Sequence, residues 1–480
     1  MPADLAGIMA CGKFSWGLGC EIKIRGAMAH PSLSQNKHLL GNTVMKWVVV
    51  ISIALAIGLS LPVSNLIISR PVLNIVSKNK AFIQFSRQLQ VSCMDCHTDN
   101  LSRYPFYFKL PIANQIITKD IEDAQINFDL PVEKLTGQVA FSDHELIQIK
   151  GVLTENSMPP LKYTALHWNA VISSRQKNGI LAYINQQNPQ DSLVALTSKN
   201  IPKVNLDKAN LGKSLFFDKR LSSNDTISCA SCHNLAKGGT DQMPVATGIH
   251  GQQGPINSPT VLNSVFNFRQ FWDGRAGNLQ EQAAGPVTNP KEMGSNWPQV
   301  IAKLEKDKLF SRLFQTTYPK GYSSKNITEA IGEYEKTLVT PDSAFDRYLL
   351  GDKNAFSAQQ EKGYQLFLAN KCMSCHSGVA LGGQSFDKMG RKADYFAWRN
   401  KELTEADYGR FNITKRKSDR HKFKVPTLRN IALTYPYFHD GSTSDLMEAV
   451  QIMSEFQNGK KLTPEDARAI ADFLKTTTVP

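Results

Sequence analysis

The hydrophobic and polar positions of this chain repeat one layout three times. A short amphipathic helix leads into a Cys-x-x-Cys-His pentapeptide, and a loop-rich stretch follows. Before the second pentapeptide, Leu211, Leu215 and Phe216 share a helical face; before the third, Tyr364, Phe367 and Leu368 do the same. Closing helices are announced by cap signals. Ser142-Asp143-His144-Glu145 is a capping box before Leu146, Ile149 and Leu153. Thr463-Pro464-Glu465-Asp466 opens a helix carrying Ile470, Phe473 and Leu474 on one face. Few stretches alternate with period two, so the pattern predicts a mainly α chain with little sheet. Polar linkers are expected near Gln186 to Lys203 and near Gly351 to Ala358.

A different pattern runs from Trp47 to Ile68. It is apolar, uncharged and long enough to span a bilayer core. Lys13, Lys23, Arg25, Lys37 and Lys46 lie on its N-terminal side, which orients that end toward the cytoplasm and the rest toward the periplasm. A cleavable signal peptide is the competing reading. Ser60-Leu61-Pro62 is a weak cleavage site and the run continues past it, so an uncleaved transmembrane anchor at 47–68 is expected. Met45-Lys46 reads as a natural start, leaving residues 1–46 cytoplasmic or untranslated.

The pentapeptides are Cys93-Met94-Asp95-Cys96-His97, Cys229-Ala230-Ser231-Cys232-His233 and Cys372-Met373-Ser374-Cys375-His376. This is the attachment signature of c-type haem. Each cysteine adds to a haem vinyl, and His97, His233 and His376 are the expected iron ligands. Zinc would need further Cys or His ligands nearby, and only Cys11 and Cys20 remain, far upstream. Three covalent haems in three domains are therefore expected, at 71–195, 204–352 and 356–480. Such haems are attached outside the bacterial cytoplasm, which agrees with a periplasmic location on the inner membrane. The net charge of +13 suits an anionic surface, an acidic redox partner or simply a basic solvated exterior. No basic run with interleaved aromatics points to nucleic acid.

A sixth iron ligand decides whether a haem carries electrons or reacts. Met158, in Ser157-Met158-Pro159-Pro160, is the candidate for the first haem, with His144 and His167 as alternatives. Between the second and third motifs, Phe271-Trp272-Asp273-Gly274-Arg275-Ala276 gathers aromatic, acidic and basic groups, with Gln282 and Glu292 downstream.

The repeated layout resembles the class I cytochrome c fold, so the expected fold class is mainly α, three such haem domains after a transmembrane helix. Residues 205–480 resemble the bacterial di-haem cytochrome c peroxidases. The carrying motifs are LSSNDTISCASCH at 221–233, GPINSPT at 254–260, FWDGRA at 271–276, LVTPDSAF at 338–345 and LRNIALTYPYFH at 428–439. The first block is similar to the tri-haem, membrane-anchored branch, the quinol peroxidases, through MPPLKYTALHW at 158–168. The resemblance implies reduction of hydrogen peroxide at the haem of His233, with Gln282 and Glu292 as the catalytic amide and carboxylate. It implies Met453 as ligand of the third haem, Trp272 between the two, and calcium held by Asn257 with the carbonyls of Thr434 and Pro436. Membrane quinol or a small cytochrome c is the implied donor. A protein-modifying haem oxidase of the same family and a pure electron-transfer cytochrome are the rival readings. Where many relatives place a blocking histidine on the loop Thr247–Gly251, this chain has Ile249, with His250 one place late. An open iron at the second haem is the expectation.

Overall fold

In this computed structural model the described residues are 48–49, 52, 62–65, 72–98, 106–141, 143–187 and 193–479. Most of the run 47–68 and all of 1–46 therefore lie outside the described residues. Among those described, no helix is long and apolar enough to cross a membrane.

In the first block, helix α1 (Lys80–Ser92) starts where the Asn79 side chain accepts hydrogen bonds from the amides of Ala81 and Phe82. It buries Phe82, Phe85 and Leu89 and runs straight into Cys93. Helices α2 (Pro111–Asn127) and α3 (Asp143–Thr154) follow. Leu146, Ile149 and Leu153 face the core as the spacing predicts. The capping box read at the start of α3 falls on Ser142, outside the described residues. The Glu145 carboxylate pairs with Lys134. Helix α4 (Ser174–Gln187) packs on α1, with Tyr183 stacked on Phe85 at 4.4 Å.

The second and third blocks share a frame. In the second, α5 (Leu206–Phe216) precedes the motif, α6 (Leu279–Thr288) follows it, and α7 (Ser324–Glu335) closes. Helices α5 and α7 cross at Gly212, where a Cβ would collide with the Ala330 carbonyl oxygen. Phe216 and Tyr334 meet edge-on beside the crossing, at 5.3 Å. In the third, α8 (Ala358–Ala369) precedes the motif, followed by α9 (Leu446–Asn458) and α10 (Pro464–Lys475). Gly363 meets the Ala469 carbonyl in the same way, and Phe367 packs on Phe473 at 5.3 Å. Only glycine allows so close a backbone approach. Thr463 caps α10 by accepting from the Asp466 amide at 3.2 Å, as its sequence announces.

Among the described residues the sheet content is one antiparallel pair, β1 (Phe386–Lys388) with β2 (Lys422–Lys424). The polar linkers are not free. Leu196 is fully buried, and its amide donates to Asp346 at 2.7 Å. Asp346 also makes a two-pronged pair with Arg429, at 2.8 and 3.0 Å, with both side chains buried. Phe356 stacks on Tyr348 at 4.1 Å. Apolar residues inside these polar stretches tie them down.

Candidate haem sites

Each pentapeptide forms a single tight helical turn, which puts both cysteines and the histidine on one side. In all three the histidine Nδ1 faces a main-chain carbonyl: His97 to Phe128 at 2.6 Å, His233 to Gly239 at 3.3 Å, His376 to Leu381 at 3.1 Å. A carbonyl only accepts, so Nδ1 carries the proton and Nε2 keeps its lone pair for a metal. Burial lowers the pKa of His97 and His233, which favours the neutral imidazole a ligand needs. Burial also pushes the thiols up, Cys96 and Cys372 to about 11. Among the described residues no three His, Cys, Asp or Glu side chains are grouped to hold a metal ion. The donor set fits c-type haem and not structural zinc.

A cavity of about 240 Å³ opens beside His376, lined by Cys372, Cys375, Met453, Trp272 and Lys424. Helix α9 supplies Met453. Trp272 donates its indole N–H to the Asn257 carbonyl at 3.0 Å, and its own carbonyl accepts from the Lys424 amide at 2.7 Å. Lys424 is buried; desolvation pushes its ammonium down to about 8, and no ion pair among the described residues ends on it. The edge of Trp272 also meets His439 at 6.5 Å. His439 is held by Asp407 at 2.7 Å. Burial works against the Asp407 charge, but hydrogen bonds from His439 and Arg399 keep its carboxyl far below the ordinary range. Asn257, Thr434 and Pro436 line this same cavity. Asn257 donates its amide to the Met243 carbonyl at 2.8 Å, which turns Oδ1 away from that bond.

A second, smaller cavity of about 50 Å³ lies beside His233. Its wall brings together Cys229, Cys232, Gln282, Glu292 and Glu335. Gln282 comes from α6, and Glu292 from the turn that follows it. Asn289 donates to Glu292 Oε1 at 2.6 Å. Burial raises the Glu292 pKa, with Arg275 and Asn289 opposing. Met293 also lines this wall and belongs to the apolar core with Leu211 and Phe216.

The loop 247–251 is strapped to the same turn. Ile249 is buried, and its amide donates to the Glu292 carbonyl at 2.8 Å. Cβ atoms at Gly248 or Gly294 would strike Lys291 or Ile249, so both glycines are required for this approach. His250 sits at φ 55°, exposed, and does not line the cavity.

In the first block Met158 is half-buried in the turn after α3. His167 is buried with both ring nitrogens engaged, Nε2 with Tyr107 at 2.7 Å and Nδ1 with the Tyr163 carbonyl at 3.0 Å. Ligating iron would cost it one of these bonds. The side chain of His144 lies outside the described ones.

A family model described as di-haem cytochrome c peroxidase matches residues 206–354. A haem-binding domain matches 64–186 and a cytochrome c model matches 360–478. Cytochrome c peroxidase Ccp of Escherichia coli is 45% identical over 413 residues, 83% of this chain and 88% of that protein. The chain belongs to the di-haem cytochrome c peroxidase family. Cytochrome c551 peroxidase of Nitrosomonas europaea is 47% identical over 58% of this chain and 82% of its own length. Among solved structures, a MauG-like protein associated with microbial copper homeostasis is 29% identical with a TM-score of 0.52, over 60% of this chain and 93% of that one. The fold of this family member is mainly helical, with a cytochrome c domain and the MauG-like di-haem peroxidase arrangement. Two wall residues escape a reading of its sequence, Glu335 and Lys424. Glu335 had a signal: it continues the apolar stripe Ile327–Ile331 of α7 at helical spacing, where an acid is out of place.

Proposed function

We propose that this chain is a membrane-anchored, periplasmic peroxidase that reduces hydrogen peroxide to water. Its three c-type haems would sit in domains at 71–195, 204–352 and 356–480, behind an inner-membrane anchor at 47–68. When bound, the haems supply one-electron relay in the first and third blocks and an iron that reduces peroxide in the second. The electron donor is membrane quinol, with a small cytochrome c as the alternative. Met158 and Met453 are the proposed sulfur ligands of the first and third haems, Trp272 stands on the path between third and second, and Asn257 with the Thr434 and Pro436 carbonyls would hold calcium through oxygen.

The observation that carries this reading is the joint placement of Gln282 and Glu292 on the wall of the His233 cavity, with His250 outside it. The Gln282 amide orients peroxide. Asn289 fixes Glu292 Oε1 and leaves Oε2 to take the proton from the inner peroxide oxygen and return it to the outer one. The leaving oxygen then departs as water rather than hydroxide. Similarity to methylamine utilization protein MauG of Methylorubrum extorquens, 34% identical over 51% of this chain, favours the rival reading of a protein-modifying oxidase. Met453 speaks against it, since the resemblance places a tyrosine there in that relative.

Peroxide consumption by the full-length enzyme in membranes, driven in one arm by reduced quinol and in the other by reduced cytochrome c, tests the proposal. Turnover with quinol is expected. Turnover with cytochrome c alone would remove quinol as donor, and no turnover in either arm would sink the peroxidase reading.

A further inference from the structure

The His233 cavity holds a second carboxylate that the mechanism above leaves unused. Glu335, the last residue of α7, is buried at 4% exposure and lines this wall together with Cys229 and Glu292. Its Oε2 is shut off from solvent, and no hydrogen bond reaches it. A bare carboxylate in such a place carries a desolvation penalty of several kcal/mol, and nothing on the wall offsets it. The group therefore rests as a neutral carboxylic acid, consistent with burial pushing it up to about 8. Glu335 thus brings a dissociable proton to the cavity.

The chemistry needs one. Reduction of hydrogen peroxide takes two electrons and two protons and gives two waters. Glu292 returns the proton it borrows, so its net contribution is zero. We propose that Glu335 is the internal proton donor of this site. The first water leaves with the proton that Glu292 moves. As the inner oxygen then takes up the two electrons, the Glu335 O–H bond breaks and one new O–H bond forms on that oxygen, the other proton coming from solvent, to give the second water. The electrons come from the quinol or cytochrome c donor. The carboxylate left behind regains its proton from solvent before the next turnover. This assignment rests on the peroxidase reading of the same cavity.

The test compares wild-type holoenzyme with Glu335→Gln, which keeps size and neutrality and has no proton to release. Redox-difference infrared spectroscopy should show the carbonyl stretch of a protonated carboxyl, recognised by its shift in D₂O. That band should vanish in Glu335→Gln and persist in Glu292→Gln. Turnover of Glu335→Gln, with all haems loaded, should fall about 100-fold, the low end for loss of a general acid. A pH-indicator dye should show one of the two protons taken up from bulk only after a lag behind reduction of the inner oxygen, and that lag should collapse in this variant. If the band survives in Glu335→Gln, or if the variant turns over and takes up protons like wild type, the assignment is overturned. A band assigned to Glu335 in a wild type that consumes no peroxide would overturn the peroxidase reading, and the donor role with it.

Discussion

The second and third haem blocks are built on one frame and differ in what faces the cavity. Both cross two helices at a glycine, Gly212 under Ala330 and Gly363 under Ala469. Both anchor the motif histidine through Nδ1 to a carbonyl six or five residues on. The wall beside His376 then presents a thioether, an indole and a buried lysine. The wall beside His233 presents an amide and two carboxyls. The frame is shared; a few side chains from helices, from β2 and from the turns between them set the two walls apart.

That contrast can be probed at five positions, in descending order of effect. Glu292→Gln, with haem content unchanged, should lose about 100- to 10,000-fold in peroxide turnover, because an amide cannot shuttle the proton. Electron transfer into the third block should be untouched, and near-normal turnover would place the shuttle elsewhere. Gly212→Ala and Gly363→Ala should each destabilise by about 1–3 kcal/mol, since the added methyl meets a carbonyl that cannot yield cheaply. Thermal melts that show one variant destabilised and the other neutral would contradict a shared frame. Lys424→Gln should lower the midpoint potential of the third-block haem by roughly 1 kcal/mol, because a nearby cation favours the reduced, less positive iron. The titration belongs at pH 7 or below, where a lysine pushed down to about 8 still carries its charge; an unchanged potential would show the ammonium has no hold on that iron. His250→Ala should change nothing in cyanide affinity or turnover, since the imidazole is exposed and off the wall. A gain in cyanide binding would make His250 a blocking ligand.

Much of this was legible in the sequence, for a local reason. A five-residue motif fixes its own geometry, so the six cysteines and three histidines needed no tertiary information. Thr463 caps its helix because the cap oxygen and the amide that donates to it are three residues apart. Reading by local pattern failed where a distant partner intervened. The polar stretch before Leu206 was stapled down by Asp346 and Arg429. Glu335 shows in the sequence as an acid on an apolar stripe and Lys424 does not show at all, and only the fold decides which cavity either faces. That His167 is buried with both ring nitrogens engaged could not be read from the sequence either, because its partners Tyr107 and Tyr163 are set by the fold.

We propose that the iron His233 would hold is open to peroxide in the resting enzyme, while the one His376 would hold is closed by Met453. Electron paramagnetic resonance of the fully oxidised, full-length protein tests it most directly. The account predicts a high-spin ferric component that cyanide converts to low spin without prior reduction. A resting enzyme that is wholly low spin and indifferent to cyanide until it is reduced would contradict it.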